Sequence, residues 1–194
     1  MGKSSLMKKA IFLDRDGIIN DEIFRSDMNK WTAPHSVGEV RIQKNFINIL
    51  KKLQKKDYLF FVISNQPDYA LGYVKYSDLE LVDLKIKKEL KKNQIKIKKF
   101  YYSFRHKKSI KKNLGPPCFD KKPNPFFLKK AEKEFNLDLK FSWIIGDRQT
   151  DIDCGRRANL KTIGIFNERH KFSNNKNKPD YLVKNFNQII KIID

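Results

Sequence analysis

Four short segments of the chain combine residue types able to act on a phosphate or a cation. Asp14-Arg15-Asp16-Gly17 sets two carboxylates two residues apart, just ahead of a glycine. Acids this close repel when both are ionised, so a neighbouring cation or a proton-transfer role is a physical reason to keep them together. A solvated turn is the ordinary alternative. Ser64-Asn65-Gln66 offers a hydroxyl beside main-chain N–H donors, a set that can hold phosphate oxygens, although Ser and Asn are also common turn residues. Lys121-Lys122-Pro123 can bring an ammonium to the same edge, in a chain where lysine is abundant. Gly146-Asp147-Arg148-Gln149-Thr150-Asp151 supplies two further acids. Asp147 suits direct coordination of a hard cation, and Asp151 coordination through water or support from behind. Acids favoured by the dipole in a helix's first turn are the competing explanation.

The elements that would position these segments read as alternating strands and helices. Residues 9–13 and 58–64 (YLFFVIS) are apolar runs with the character of strands buried on both faces of a parallel sheet. Between them, Phe46, Ile49, Leu50 and Leu53 recur at helical spacing with lysines on the other face, and Leu79, Val82, Ile86 and Leu90 repeat the pattern. Further strands are expected at 97–104, 141–145, 162–166 and 181–183, with a helix near 125–135. This alternation predicts an α/β fold with a doubly wound, Rossmann-like parallel sheet and its ligand site at the carboxyl ends of the strands. The four segments follow one another at or near such ends, and together they weigh more than any one alone. Residues 21–43 and 106–125 read as long irregular loops able to carry substrate or metal contacts. Residues 1–8 are expected to be a flexible tail and 9–194 a single domain without room for a large cap.

Composition narrows the function class. With 40% hydrophobic and 12% aromatic residues, the 194-residue chain is neither disordered nor collagen-like. Its two cysteines, Cys118 and Cys154, exclude a disulfide-dense secreted scaffold. The longest apolar run, residues 58–63, is far too short to span a membrane, and no signal peptide is legible, so a cytoplasmic location is expected. The net charge of +20 suits a polyanionic partner. Yet Lys outnumbers Arg 34 to 8, whereas bidentate phosphate and base recognition favours Arg. AT-rich codon usage, which also enriches Asn, Ile and Phe, is the preferred source of the charge, ahead of an anionic small substrate and then nucleic acid.

The segments DRDG, SNQ, KKP and GDRQTD, in that order across nearly the whole chain, resemble the four motifs of the haloacid dehalogenase (HAD) superfamily of phosphotransferases. The wider wording FLDRDGIIN, SNQ with LGY soon after, and GDRQTDIDCGRRANLKTIGI is similar to its histidinol-phosphate and heptose-bisphosphate phosphatase branch. The resemblance implies a two-step phosphoryl transfer on a small phosphorylated sugar. Asp14 would be the nucleophile and Asp16 the general acid and base. Ser64, Asn65 and Lys122 would bind the transferring phosphate, with Gln66 and Lys121 contacting the rest of the substrate. Mg2+ would be held by Asp14, the Asp16 main-chain carbonyl and Asp147, with Asp151 in support. A metal and a lysine are what an anionic carboxylate needs to approach an anionic phosphate.

The chain departs from the heptose branch where that branch carries a Cys-x-His and Cys-x-Cys zinc loop. The aligned residues are Ser103, Arg105, Cys118 and Asp120, one ligand of the four that a structural zinc wants, so no zinc is expected even with His106 nearby. The branch's arginine before the motif lysine is Lys121 here, which leaves substrate identity open between a heptose 1,7-bisphosphate, histidinol phosphate and a nucleic-acid 3′-phosphate. A non-enzymatic RNA-binding or scaffold protein is the remote alternative, and base stacking on Tyr101, Tyr102 and Phe104 would favour nucleic acid. A monomer is expected.

Overall fold

A computed structural model describes residues 7–193. In chain order the elements are β1 (Ala10–Leu13), the hairpin strands β2 (Ile23–Arg25) and β3 (Lys30–Thr32), α1 (Lys44–Leu53), β4 (Leu59–Asn65), α2 (Tyr76–Lys92) and β5 (Ile97–Ser103). They continue as α3 (Phe126–Phe135), β6 (Trp143–Gly146), α4 (Gln149–Arg157), β7 (Lys161–Ile165), β8 (Tyr181–Val183) and α5 (Asn187–Ile192). Six strands form one sheet in the order β5-β4-β1-β6-β7-β8, with every pairing parallel. The expected doubly wound architecture is therefore present.

The two-residue period of the strands splits the apolar side chains into two layers. Ile11 and Leu13 of β1 with Phe60 and Val62 of β4 face α1, α2 and α5. Ala10 and Phe12 with Phe61 and Ile63 face α3 and α4, meeting Leu128, Ala131, Cys154 and Ala158. Each fully buried Phe, Ile or Leu contributes about 1.5–3 kcal/mol, so neither face can be left bare. The helices answer with one apolar face each: α2 buries Leu79, Val82, Ile86 and Leu90 and turns its lysines outward.

Strand β1 lies between β4 and β6, where the winding reverses direction. Leu13 is in register with Val62 on one side and Ile145 on the other, so the residues just beyond these strands meet at one edge. That edge is the topological switch point at which an open parallel sheet leaves a crevice.

Several boundaries differ from the sequence expectation. Residues 21–43 are not wholly irregular, since they hold the antiparallel β2–β3 hairpin, in which Phe24 faces Trp31. The strand expected from residue 141 begins at Trp143, because Leu139–Phe141 form a 3-10 turn that leaves Phe141 exposed. Helix α5 was not anticipated; it is short and buries Ile189. Of the tail expected at residues 1–8, residues 1–6 lie outside the described residues, while Lys8 exchanges main-chain hydrogen bonds with Asn136 and Asp138. Among the described residues no helix is long and apolar enough to cross a membrane.

Candidate active site

Asp14 leaves β1 with its amide donating to the Ile145 carbonyl (3.0 Å), which ties its position to β6. The chain then turns at Gly17, whose φ of +89° lies in the left-handed region that glycine accepts without strain. A Cβ there would stand 2.2 Å from Asp147 Oδ2, so the glycine also admits that carboxylate. Gly146 does the same for Asp151, whose Oδ2 would lie 2.3 Å from an added Cβ. Two glycines thus let carboxylates from β6 and α4 close on Asp14.

Lys122 sits among them. Its ammonium donates to Asp14 Oδ1 (2.7 Å) and the Ile63 carbonyl (2.9 Å) and pairs with Asp151 Oδ1 (2.5 Å). Asn65 fixes the lysine's main chain: its Nδ2 donates to the Lys122 carbonyl (3.1 Å) and its Oδ1 accepts from the Lys122 amide (3.0 Å). Although burial opposes it, the Asp14 and Asp151 charges hold the Lys122 ammonium above its ordinary pKa. It is a permanent cation inside the site.

One lysine does not neutralise three acids. Carboxylate oxygens of Asp14, Asp147 and Asp151 lie within 4.8 Å of one another, and all three residues are buried. Burial pushes the Asp14 carboxyl up to about 6, against the pull of Lys122 and with further upward pressure from Asp151 and Asp16. Asp147 is pushed up to about 8, first by burial and then by Asp14, Asp151 and Glu22. Asp147 Oδ2 accepts from Asn167 (3.0 Å), whereas its buried Oδ1 has no hydrogen-bond partner. Hard oxygen donors, excess negative charge and an orphaned buried oxygen are what a small divalent cation would satisfy. Asp151 is already engaged by Lys122 and by the Arg148 amide (3.1 Å), which suits a supporting role.

Asp16, in the same cleft, has its own set of donors. Gln66 Nε2 donates to Asp16 Oδ2 (2.5 Å) and to Ser64 Oγ (2.8 Å), Asn20 Nδ2 donates to Asp16 Oδ1 (2.9 Å), and Arg15 Nε lies 3.1 Å from Oδ1. Gln66, expected to touch substrate, donates its amide to Asp16 and Ser64 and is almost fully buried. Its neighbour in the reading, Lys121, does line the cleft.

The cleft encloses about 550 Å³, with Asp14, Asp16, Ser64, Asn65 and Lys122 at its floor. Its upper wall is cationic. Lys30 and Trp31 come from the hairpin, Arg148 from the start of α4, and Arg169 and Lys171 from the segment after β7. Glu22 lies beneath this wall, buried, and is paired with Arg148, with His170 Nε2 (3.0 Å) and with Arg169 Nη1 (3.6 Å). Burial would raise the Glu22 carboxyl, but the His170 and Arg148 contacts hold it below the usual range. Glu22, Arg148, Arg169 and Trp31 were not singled out from the sequence. Their contacts join residues more than a hundred positions apart, and no local pattern signals them.

At the positions aligned with the zinc loop, Ser103 Oγ donates to Asp120 Oδ1 (2.7 Å), Arg105 Nε lies 3.7 Å from Asp120 Oδ2, and His106 Nδ1 accepts from the Lys108 amide (3.1 Å). Ser103, Arg105 and Asp120 thus engage one another, and His106 is held by its own turn.

The fold gathers a strand-end aspartate, a second aspartate two residues on, a lysine and an acidic pair at one switch point, a donor set whose charges suit phosphoryl transfer. The family model described as HAD-hydrolase-like matches residues 120–189. A D-glycero-alpha-D-manno-heptose-1,7-bisphosphate 7-phosphatase from Campylobacter jejuni is 34% identical over 84% of this chain and 85% of its own length. A protein of the same name from Photorhabdus laumondii is 28% identical over 85% of this chain and 86% of its own. Among solved structures, the D,D-heptose 1,7-bisphosphate phosphatase from B. bronchiseptica, complexed with magnesium and phosphate, superimposes with a TM-score of 0.72 at 16% identity, covering 95% of this chain and 99% of that one. The chain belongs to the HAD-like phosphatases, in the branch of the heptose-1,7-bisphosphate phosphatases.

Proposed function

We propose that the chain is a Mg2+-dependent phosphomonoesterase that removes one phosphate from a sugar bisphosphate, with a heptose 1,7-bisphosphate as substrate. The observation that carries this reading is the pairing of two regions in one cleft: a floor with Asp14 beside Lys122, and a cationic wall formed by Lys30, Arg148, Arg169 and Lys171. Glu22 partners Arg148 and Arg169 and Asp68 partners Lys30, so four cations meet two acids, and the surplus positive charge suits a second anion. The names of the relatives, all acting on a 1,7-bisphosphate, support the same substrate.

Asp14 attacks phosphorus, forming the aspartyl–phosphate bond as the bond to the sugar oxygen breaks, and Asp16 gives its proton to that leaving oxygen. Asp16 then takes a proton from water, the water oxygen attacks phosphorus, and the aspartyl bond opens to release inorganic phosphate. Ser64, the Asn65 main chain and Lys122 hold the equatorial oxygens, where the charge of the transition state resides. Asp14, the Asp16 carbonyl and Asp147, with Asp151 behind, would hold Mg2+, which would supply the charge that lets a carboxylate meet a phosphate. Gln66, Asn20 and Arg15 hold the acid–base carboxylate between the two steps.

In this reading residues 9–194 act as one monomeric unit in the cytoplasm. Two free cysteines, one of them the buried Cys154 with its thiol pushed up to about 12 by burial, suit a reducing compartment. The lysines of α1 and α2 are spread over the outer faces of two helices, which favours a small substrate over nucleic acid. Phosphate release from D-glycero-D-manno-heptose 1,7-bisphosphate, the corresponding 1-phosphate, histidinol phosphate and a 3′-phosphorylated oligonucleotide tests the reading. The bisphosphate should lead in kcat/KM by about tenfold or more, the factor that one charge-assisted contact supplies. Equal or faster turnover of the oligonucleotide overturns it.

A further inference from the structure

Lys121 and Lys122 are neighbours with different attachments. Lys122 reaches the floor and is held by Asn65, whereas Lys121 lines the cleft half-buried, and burial holds its ammonium below the ordinary lysine value. Both ride on the long loop between β5 and α3, and a loop of that length does not aim a flexible side chain by itself.

Asn65 ends β4, Ser103 ends β5, and the two are direct register partners across the sheet. From these adjacent points each side chain grips the same returning segment: Ser103 Oγ donates to Asp120 Oδ1 (2.7 Å), and Asn65 bonds both main-chain groups of Lys122. The two grips fall two residues apart, with Lys121 between them. Arg105 completes the arrangement from the loop's other limb. Its guanidinium donates to the Asn113 and Gly115 carbonyls (3.2 and 3.1 Å), lies 4.7 Å from the centre of the Phe119 ring and faces Asp120. One side chain therefore closes residues 105–120 into a unit.

We infer that Ser103, Arg105 and Asp120 are positioning residues that, with Asn65, aim Lys121 at the part of the substrate that is not transferred. This rests on the bisphosphate reading above, because it gives Lys121 an anionic target beyond the transferring phosphate. Ser103 and Asp120 touch no substrate themselves. Their effect on the reaction runs through Lys121.

The test measures kcat and KM on heptose 1,7-bisphosphate for Ser103→Ala, Asp120→Ala, Asp120→Asn, Lys121→Ala and the Ser103→Ala/Lys121→Ala double variant. Lys121→Ala should raise KM roughly tenfold, and Ser103→Ala and Asp120→Ala should each reproduce a large part of that rise with kcat within about twofold. In the Lys121→Ala background, Ser103→Ala should add nothing, the signature of two residues acting as one. Asp120→Asn keeps an acceptor for Ser103 and should recover most of the wild-type KM, which a loop that had merely unfolded would not do. If Lys121→Ala raises KM while Ser103→Ala and Asp120→Ala leave it unchanged, the positioning role is overturned and the substrate reading stands. If Lys121→Ala itself leaves KM unchanged, the inference falls, whereas the bisphosphate reading, carried by Lys30, Arg148, Arg169 and Lys171, is decided by the substrate comparison. Additive effects of the two substitutions, or a fall in kcat in place of the rise in KM, also overturn it, since the grip would then serve Lys122 and the chemistry.

Discussion

The floor and the wall of the cleft are built on opposite terms. The floor hangs from the ends of β1, β4 and β6, its carboxylates are buried, and its geometry follows from strand register. The wall is a hairpin, a helix start and a loop, its side chains are partly exposed, and one buried carboxylate, Glu22, gathers the cations. In the proposed reaction, rigid elements would carry the step that every substrate shares, and loops the groups that choose among substrates. Mutations should therefore separate cleanly, the floor acting on kcat and the wall on KM.

The largest effect is expected at the nucleophile. Asp14→Asn keeps the shape of the side chain but cannot form the acyl phosphate, so kcat should fall by about 10⁴-fold or more with the fold retained by circular dichroism. Measurable turnover within tenfold of wild type would end the covalent mechanism. Asp16→Asn should cost roughly 10² to 10⁴ in kcat, the usual range for a lost general acid, with little change in KM.

Metal binding would give the floor a pH dependence of its own. Asp147, pushed up to about 8, and Asp14, pushed up to about 6, must both lose their protons before a cation binds. An acid whose pKa is raised in the folded state stays protonated up to that value, so the apparent Mg2+ affinity rises with pH and levels off above about 8. Between pH 6 and 8 one proton is displaced, which corresponds to about tenfold in affinity per pH unit. Calorimetric titration with Mg2+ at pH 6, 7 and 8 measures the slope. A flat profile would show that the carboxylates are ionised without the metal.

The floor was legible in the sequence because its residues are local to strands that announce themselves. Four apolar residues running into Asp14, and YLFFVIS running into Ser64 and Asn65, place side chains at a sheet edge without knowledge of the rest of the chain. For Gln66 the structure adds a contact that the motif cannot carry: at the strand's exit its amide meets Asp16, fifty residues back. The hairpin was missed because strands of three residues are too short to show alternation. Helix α5 likewise offers a single fully buried side chain, Ile189, and no period to read. The wall was not legible at all. Glu22 becomes a site residue only when Arg148 and His170, 126 and 148 positions away, fold over it.

On the wall, Arg148→Ala should raise KM for the bisphosphate by about tenfold with kcat little changed, because an anion held equally in ground and transition states affects binding alone. Glu22 keeps His170 and Arg169 as partners in that variant, so the protein should still fold. A drop in kcat without a change in KM would mean that Arg148 serves the floor, through the turn it shares with Asp147 and Asp151.

The smallest expected effect lies at the cleft's rim. Arg169 rests with its guanidinium carbon 3.9 Å from the centre of the Trp31 ring, and Trp31 packs on Phe24 across the hairpin with ring centres 5.4 Å apart. A partly exposed cation–π contact is worth about 0.5–1 kcal/mol. Trp31→Ala should therefore let Arg169 wander and raise KM for the bisphosphate by about two- to fivefold, while Trp31→Phe, which keeps a ring face, should fall between that variant and wild type. The hairpin forms part of the wall, so hydrolysis of a small aryl phosphate, which has no second anion for Arg169 to meet, should be far less sensitive to the same substitution. Equal losses on both substrates would place the hairpin over the reacting phosphate itself, and the division between floor and wall would then fail at this point first.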